Sequence, residues 1–194
     1  MNDQADLIKR VLGVNFFALG LIKLSIDEDA GATTTVRAKV SEGEQHVEVE
    51  GTGVGVVDAL YNGLLDRYAR EYQSLKTIQI VNFQLAADMG SKKAQAGVDA
   101  VGKVTLEVKN SEGKYFEFTH ASRSVTTSSA CAVIAAVEYF INAERAFLTL
   151  YNARRDALQR GREDLVSRYT AELAEVVQST SYAEVIANIR KELS

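Results

Sequence analysis

The sequence predicts an α+β fold of two pseudo-symmetric β-β-β-α units with antiparallel sheets, followed by a C-terminal helical extension. Three observations carry this. Residues 32–40 and 102–110 are alternating runs that both enter a Ser-Glu-Gly turn, ending at Gly43 and at Gly113, an offset of 113 − 43 = 70. A second alternating run follows each turn, over 45–50 and 115–120. Each pair then passes through a bend of small residues into a long run with apolar residues at helical spacing. Period two argues for half-buried strands and period 3.6 for an amphipathic helix, and one unit written twice argues for duplication. Domains of this kind tend to place ligands or partners where their halves meet.

Taken in order, residues 6–12 read as a short helix, 17–26 as a strand and 27–31 as a turn before the paired strands 33–40 and 45–50. Gly51-Thr-Gly-Val-Gly55 then leads into a helix from about residue 56 to 73, where Val57, Leu60, Tyr61, Leu64 and Tyr68 form one apolar stripe. The second unit repeats this order: a strand at 77–85, a polar loop at 89–99, strands at 101–109 and 114–120, a Ser/Thr bend at 122–129 and a helix over 128–159. Val133, Ile134, Val137, Phe140, Ile141, Phe147, Leu148 and Tyr151 carry its stripe. That helix is longer than one small sheet can cover, so its distal half is expected to pack on the tail. In the tail, Leu165, Tyr169, Leu173, Val176 and Val177 share one helical face. Tyr182, Val185, Ile186, Ile189 and Leu193 share another, opened by a Ser181–Glu184 capping box. The division that results is a helical lead at 1–15, a duplicated domain at 16–153 and a helical tail at 154–194.

With 194 residues, 46% of them hydrophobic, the chain is long enough for one well-buried domain with a helical appendage. A formal charge of −4 offers no basic field for a phosphate backbone, so no nucleic-acid partner is expected. No apolar run approaches the roughly 20 residues that span a bilayer. The first fifteen residues lack a secretory pattern, and the expected location is cytoplasmic. Cys131 is the only cysteine; its apolar neighbours at helical spacing read as those of a buried structural thiol. His46 and His120, the two histidines, fall at near-equivalent strand positions without Cys or paired carboxylates at ligand spacing, so neither a metal nor a cofactor is expected. The Ser/Thr run at 122–129 reads as helix capping. A hydrolase built on it and His120 would need an activating pair that the sequence does not display.

Glycines at 51, 53 and 55 between a strand and a helix do not make a dinucleotide site. The preceding strand belongs to an antiparallel hairpin, the next strand has Asn82 where an acid is needed, and no Gly-Lys-Ser/Thr follows. Two readings remain: the glycines bring helix-start amides close to a small anion, or they only shape the turn.

The run Gly53-Val-Gly-Val-Val-Asp-Ala-Leu60 resembles the Gly-x-Gly-Pro-Val-Asp-Ala-Leu signature of the C-terminal regulatory domain of α-isopropylmalate synthase and citramalate synthase. Ile80-Val-Asn-Phe-Gln-Leu-Ala-Ala87 is similar to that domain's Leu-Val-Asp-Tyr…Ala strand, and Gly97-Val-Asp-Ala-Val-Gly-Lys-Val104 to its Asp-Ala-x-Gly-x-Val segment. The resemblance covers about residues 16–150. It implies a module that binds leucine or isoleucine, helps a synthase dimerise and shuts down a catalytic barrel. It also implies an effector pocket of Gly53, Gly55, Val57, Ala59, Asn82, Phe83, Ala87, Asp99 and Ala100, in which backbone amides take the carboxylate and Asp99 or Asn82 the ammonium. Val54 and Val56 replace the usual polar residue and proline, and Asn82-Phe83 replaces Asp-Tyr. The family's barrel carries a metal-binding His-x-His pair, whereas the histidines here lie 120 − 46 = 74 residues apart. The expectation is therefore a non-enzymatic regulatory homodimer with a branched-chain amino-acid effector and a separate catalytic synthase subunit as partner. The alternative is a structural dimerisation module without an effector site.

Overall fold

The computed structural model describes residues 2–29, 31, 33–88 and 101–178. The chain runs α1 (Asn2–Leu12), β1 (Leu19–Glu28), β2 (Thr34–Glu42), β3 (Gln45–Gly53), α2 (Val56–Tyr68), β4 (Gln79–Asp88), β5 (Val101–Lys109), β6 (Tyr115–Ser122), α3 (Val125–Gln159) and α4 (Glu163–Val177). Short 3₁₀ turns occupy Gly13–Asn15 and Gln73–Lys76. Two antiparallel three-stranded sheets form, in the orders β1-β2-β3 and β4-β5-β6, each followed by a helix. This is the α+β duplication that the doubled pattern predicts. The loop at 89–99 and the helix opened by Ser181 lie outside the described residues.

Alternation fixes the faces of both sheets. Val36, Ala38 and Val40 of β2 are buried while Arg37 and Lys39 between them are exposed. On β5, Val104, Leu106 and Val108 point inward. The structural offset between the repeats is 104 − 36 = 68 in these strands and 124 − 55 = 69 at the helix N-caps, Gly55 and Ser124, not the 70 read from the turn glycines.

The discrepancy arises because the two Ser-Glu-Gly triplets build different turns. In the first hairpin Glu42 still pairs with Gln45, so only Gly43, at φ +61°, and Glu44 turn the chain. In the second, Lys109 pairs with Tyr115 across a five-residue loop. There Asn110 Oδ1 accepts the amides of Glu112 (3.1 Å) and Lys114 (2.9 Å), and Gly113 takes φ +82°. Both glycines hold the left-handed conformation that such turns require. One correction follows: His46 and His120 are not equivalent, since 46 + 69 = 115 puts His46 opposite Tyr115 in the repeat. His120 instead pairs with Val104, further along β6.

The first strand of each sheet carries a register shift, between Leu21 and Lys23 in β1 and between Ile80 and Asn82 in β4. These bulges leave Ile22 and Val81 unpaired and exposed. An extra residue inverts the face of everything beyond it, so Ile80 and Phe83, opposite Val108 and Leu106, share the inner face of β4.

One continuous cluster contains the inner faces of both sheets, α2 and the first half of α3, so the repeats share a core. The α2 stripe packs as expected, with Leu60, Leu64 and Tyr68 buried and Val57 and Tyr61 against them. That helix ends at Tyr68 instead of 73, and the 3₁₀ turn that follows is held from α3. Glu144 accepts the Gln73 and Ser74 amides at 3.3 and 2.8 Å. Helix α3 also stands in for a strand at the approach to β1. Asn142 takes the Phe17 N–H and donates to the Phe17 carbonyl, each at 2.8 Å, and Glu138 accepts the Leu19 N–H at 2.7 Å. Burial pushes the Glu138 carboxyl above its ordinary pKa, against the opposing pull of the Leu19 amide and the Lys9 charge.

Beyond Ile141, α3 enters a second cluster, in which Phe147 and Leu150 meet Leu7, Ile8 and Leu12 of α1 and Leu173 and Val176 of α4. Its distal half thus packs on the tail, as its length requires. Among the described residues α3 alone is long and apolar enough to cross a membrane, and most of its apolar stretch is buried in these clusters. Cys131 on α3 is half-buried, and burial raises its thiol pKa.

Candidate functional site

Helix α3 lies over β5 and β6 and leaves much of the inner face of β4 bare. Phe83 is 42% and Leu85 53% exposed, although both stand opposite core residues of β5. Over this bare strand the starts of α2 and α3 converge. The result is a cavity of about 550 Å³ lined by Gly55, Val56, Val57 and Asp58 of the first repeat's helix, Ile80 and Phe83 of β4, and Val125, Thr126 and Ser129 of the second repeat's helix. It lies at the seam between the halves.

The two helix starts differ in chemistry. Gly55, the N-cap of α2, is fully extended (φ −161°, ψ −179°) and the helix has no side-chain cap. The Ala59 N–H closes the first turn on the Gly55 carbonyl at 2.9 Å. The amides before it, from Val56 to Asp58, end a helix dipole that favours negative charge. Asp58, the only ionisable residue among the described residues that line the cavity, turns back to accept the Val54 N–H at 3.0 Å. Helix α3, by contrast, is capped by Ser124, whose Oγ accepts the Thr127 N–H at 3.2 Å, and Ser129 donates to the Val125 carbonyl at 2.9 Å.

The Ser/Thr run is thus occupied in building this helix start. His120 Nδ1 does come within 3.4 Å of Ser128 Oγ. That hydroxyl, however, is fully buried and shared with Ser122 Oγ (2.8 Å) and the Gly102 carbonyl (3.3 Å), which makes it a packing group with no access to a substrate. No group of three His, Cys, Asp or Glu able to hold a metal ion occurs among the described residues.

Of the residues expected at an effector pocket, Gly55, Val57 and Phe83 line the cavity. Gly53 and Ala59 do not. A Cβ on Gly53 would sit 2.5 Å from the Ala59 nitrogen and from Asp58 Oδ2, and one on Gly51 would collide with the Ala59 carbonyl and lie 2.5 Å from the Gly63 nitrogen. These two glycines let α2 press against β3, and Ala59 is buried in that contact. Asn82 stands opposite Glu107, on the other face of β4 from Phe83. Ala87 pairs with Gly102, and Asp99 and Ala100 lie outside the described residues. Sequence reasoning missed Val56, Asp58, Ile80 and the three α3 residues. The repeat itself pointed to two of the last three, Val125 and Thr126, because adding 69 to 55–57 gives 124–126.

A larger hollow of about 830 Å³ lies on the solvent side of β5 and β6 among Asp3, Glu107, Lys114, Glu117 and Glu175. Its four acids outnumber its one lysine and disfavour a carboxylate, whereas the seam carries the single acid Asp58 beside free helix-start amides, so the seam is the better anion site.

A profile of the LeuA allosteric (dimerisation) domain matches residues 2–141. The chain belongs to that family. It is 27% identical over 121 residues to the 2-isopropylmalate synthase of Crocosphaera subtropica, a match covering 62% of this chain and 20% of that protein. The 2-isopropylmalate synthase of Gloeothece citriformis is 30% identical over 121 residues, with the same coverage. That of Olsenella uli is 26% identical over 130 residues, covering 67% of this chain and 23% of its own length. The chain thus spans about a fifth of the length of these relatives. The matched part is the allosteric domain, and no catalytic domain is matched.

Proposed function

We propose that this chain is an effector-binding and dimerisation module whose seam cavity takes a branched-chain amino acid, leucine or isoleucine, and conveys its presence to a separate catalytic synthase. One observation carries the reading: the cavity has an uncapped helix start at one side and the hydrocarbon of Ile80, Phe83 and Val125 at the other. A small molecule with a carboxylate and a branched aliphatic chain complements both ends. The similarity to 2-isopropylmalate synthases supports an effector from leucine biosynthesis.

Thermal unfolding with millimolar leucine, isoleucine, valine or their keto acids tests this. A ligand at a hundred times its Kd adds about 2.7 kcal/mol to the folded state and raises Tm. Gly55→Val should abolish the rise without unfolding the chain, since a Cβ at Gly55 meets nothing within 4 Å. Flat melting curves with every probe would leave a structural dimerisation module.

The dimer of this reading is a two-fold homodimer formed through the sheets. The edge strands β1 and β4 expose Ile22, Val81 and Leu85, while Leu173 and Val176 of α4 are already buried against α1 and α3. An interface on the order of 1,600 Å² or more is expected. Sedimentation equilibrium at micromolar concentration should return a dimer that survives removal of residues 160–194. A monomer before truncation would refute self-association, and one appearing only after it would move the interface to the tail.

A further inference from the structure

The two repeats present different chemistry to the cavity they share. The first offers backbone amides at the uncapped start of α2. The second offers mainly hydrocarbon beside the Thr126 hydroxyl, because the hydroxyls of Ser124 and Ser129 are bonded at the start of α3 and Val125, 40% exposed, stands between them. Val125 is seated on a bare position. Gly102 of β5 has no side chain, and a Cβ there would lie 2.9 Å from Val125 Cγ2 and 3.6 Å from Leu85 Cδ1. The corresponding position in the first repeat, 102 − 68 = 34, is Thr34, which carries a side chain. Only the second repeat has the seat.

We propose that Val125, seated on Gly102, is the specificity-determining residue of the cavity, setting the length of aliphatic side chain admitted while the first repeat takes the carboxylate. This rests on the effector reading above. Val125→Ala removes two methyl groups from the wall and lengthens the space for a side chain. Gly102→Ala does the reverse. Ordinary contact begins at 3.4 Å, so the new Cβ must move Val125 by about 3.4 − 2.9 = 0.5 Å into the cavity or change its rotamer.

Isothermal titration of the full chain with L-valine, L-leucine, L-isoleucine and L-phenylalanine tests the assignment. One methylene in an apolar pocket changes binding about tenfold or more. Val125→Ala should therefore shift the Kd ratio between valine and phenylalanine about tenfold toward the larger ligand, and Gly102→Ala should shift it toward valine. Gly55→Val should weaken all four alike. Ratios unchanged within about twofold in Val125→Ala overturn the proposal while leaving the effector site intact. Failure of the parent chain to bind any of the four overturns the effector reading, and this inference with it. Should Gly102→Ala not fold, Val125→Ala, at a partly exposed position, still decides the matter.

Discussion

The three glycines of Gly51-Thr-Gly-Val-Gly55 have different tasks, and single alanine substitutions separate them. At Gly51 an added Cβ lies 2.5 Å from the Gly63 nitrogen and 2.8 Å from its Cα, where ordinary contact begins at 3.4 Å. The shortfall against that nitrogen is about 3.4 − 2.5 = 0.9 Å, the Ala59 carbonyl is closer still, and all these atoms are helix backbone, so no rotamer change relieves the collision. Helix α2 must retreat, loosening Ala59, Leu60 and Leu64, all fully or nearly fully buried. Overpacking costs about 1–3 kcal/mol, and a backbone collision belongs at the upper end. Gly53→Ala meets the Ala59 nitrogen at the same distance but also the Asp58 carboxylate, which can swing away, and should cost about 2 kcal/mol. Gly55→Ala meets open space in an extended backbone and should stay within about 0.5 kcal/mol of the parent. Urea titrations should show the midpoint of Gly51→Ala lower by about 1 M or more at unchanged slope, with Gly55→Ala superimposed on the parent. Equal midpoints for the two variants would refute the assignment of Gly51 to packing and Gly55 to the cavity.

Asn142→Ala strips partners from the Phe17 N–H and carbonyl at a fully buried site; a loss of about 2–4 kcal/mol is expected in chemical denaturation, from two orphaned backbone groups. Glu138→Gln tests a pH effect. With the Glu138 pKa raised in the folded state, its contribution is most favourable below the ordinary value of 4.5 and is lost as pH rises through the folded value. The variant should therefore gain relative stability as pH rises from 4.5 toward neutrality, and a pH-independent difference between the two would remove this role. Phe147→Ala, at a fully buried position between α1, α3 and α4, should cost about 3–5 kcal/mol by calorimetry. A loss below about 1 kcal/mol would mean that the second cluster is loosely packed.

The strands and their pairing were legible because alternation and turn glycines are local signals. The phase of β4 was not. Its bulge at Val81 turns Phe83 inward and Asn82 outward, so two neighbours expected to share a pocket lie on opposite faces. The motif glycines were ambiguous for a different reason: whether a glycine serves a ligand or a close approach depends on what lies opposite, here Ala59 and Gly63. The end of α2 was set by a tertiary partner, Glu144, some seventy residues away, which no helix-stop signal announces. The seam itself followed from the duplication, and its α3 wall was obscured because the Ser/Thr residues read only as a cap.

Helix α3 is one unbroken rod of 35 residues, about 52 Å long. Its first turn lines the cavity, and its distal half is gripped through Ala143, Ala146, Phe147 and Leu150 by α1 and α4. In mechanical terms it is a lever. A tilt of about 3° about the first turn carries the far end through about 3 Å, at the geometry of a straight helix. A displacement too small to see at the cavity would then be comparable with the spacing between packed side chains at the other end.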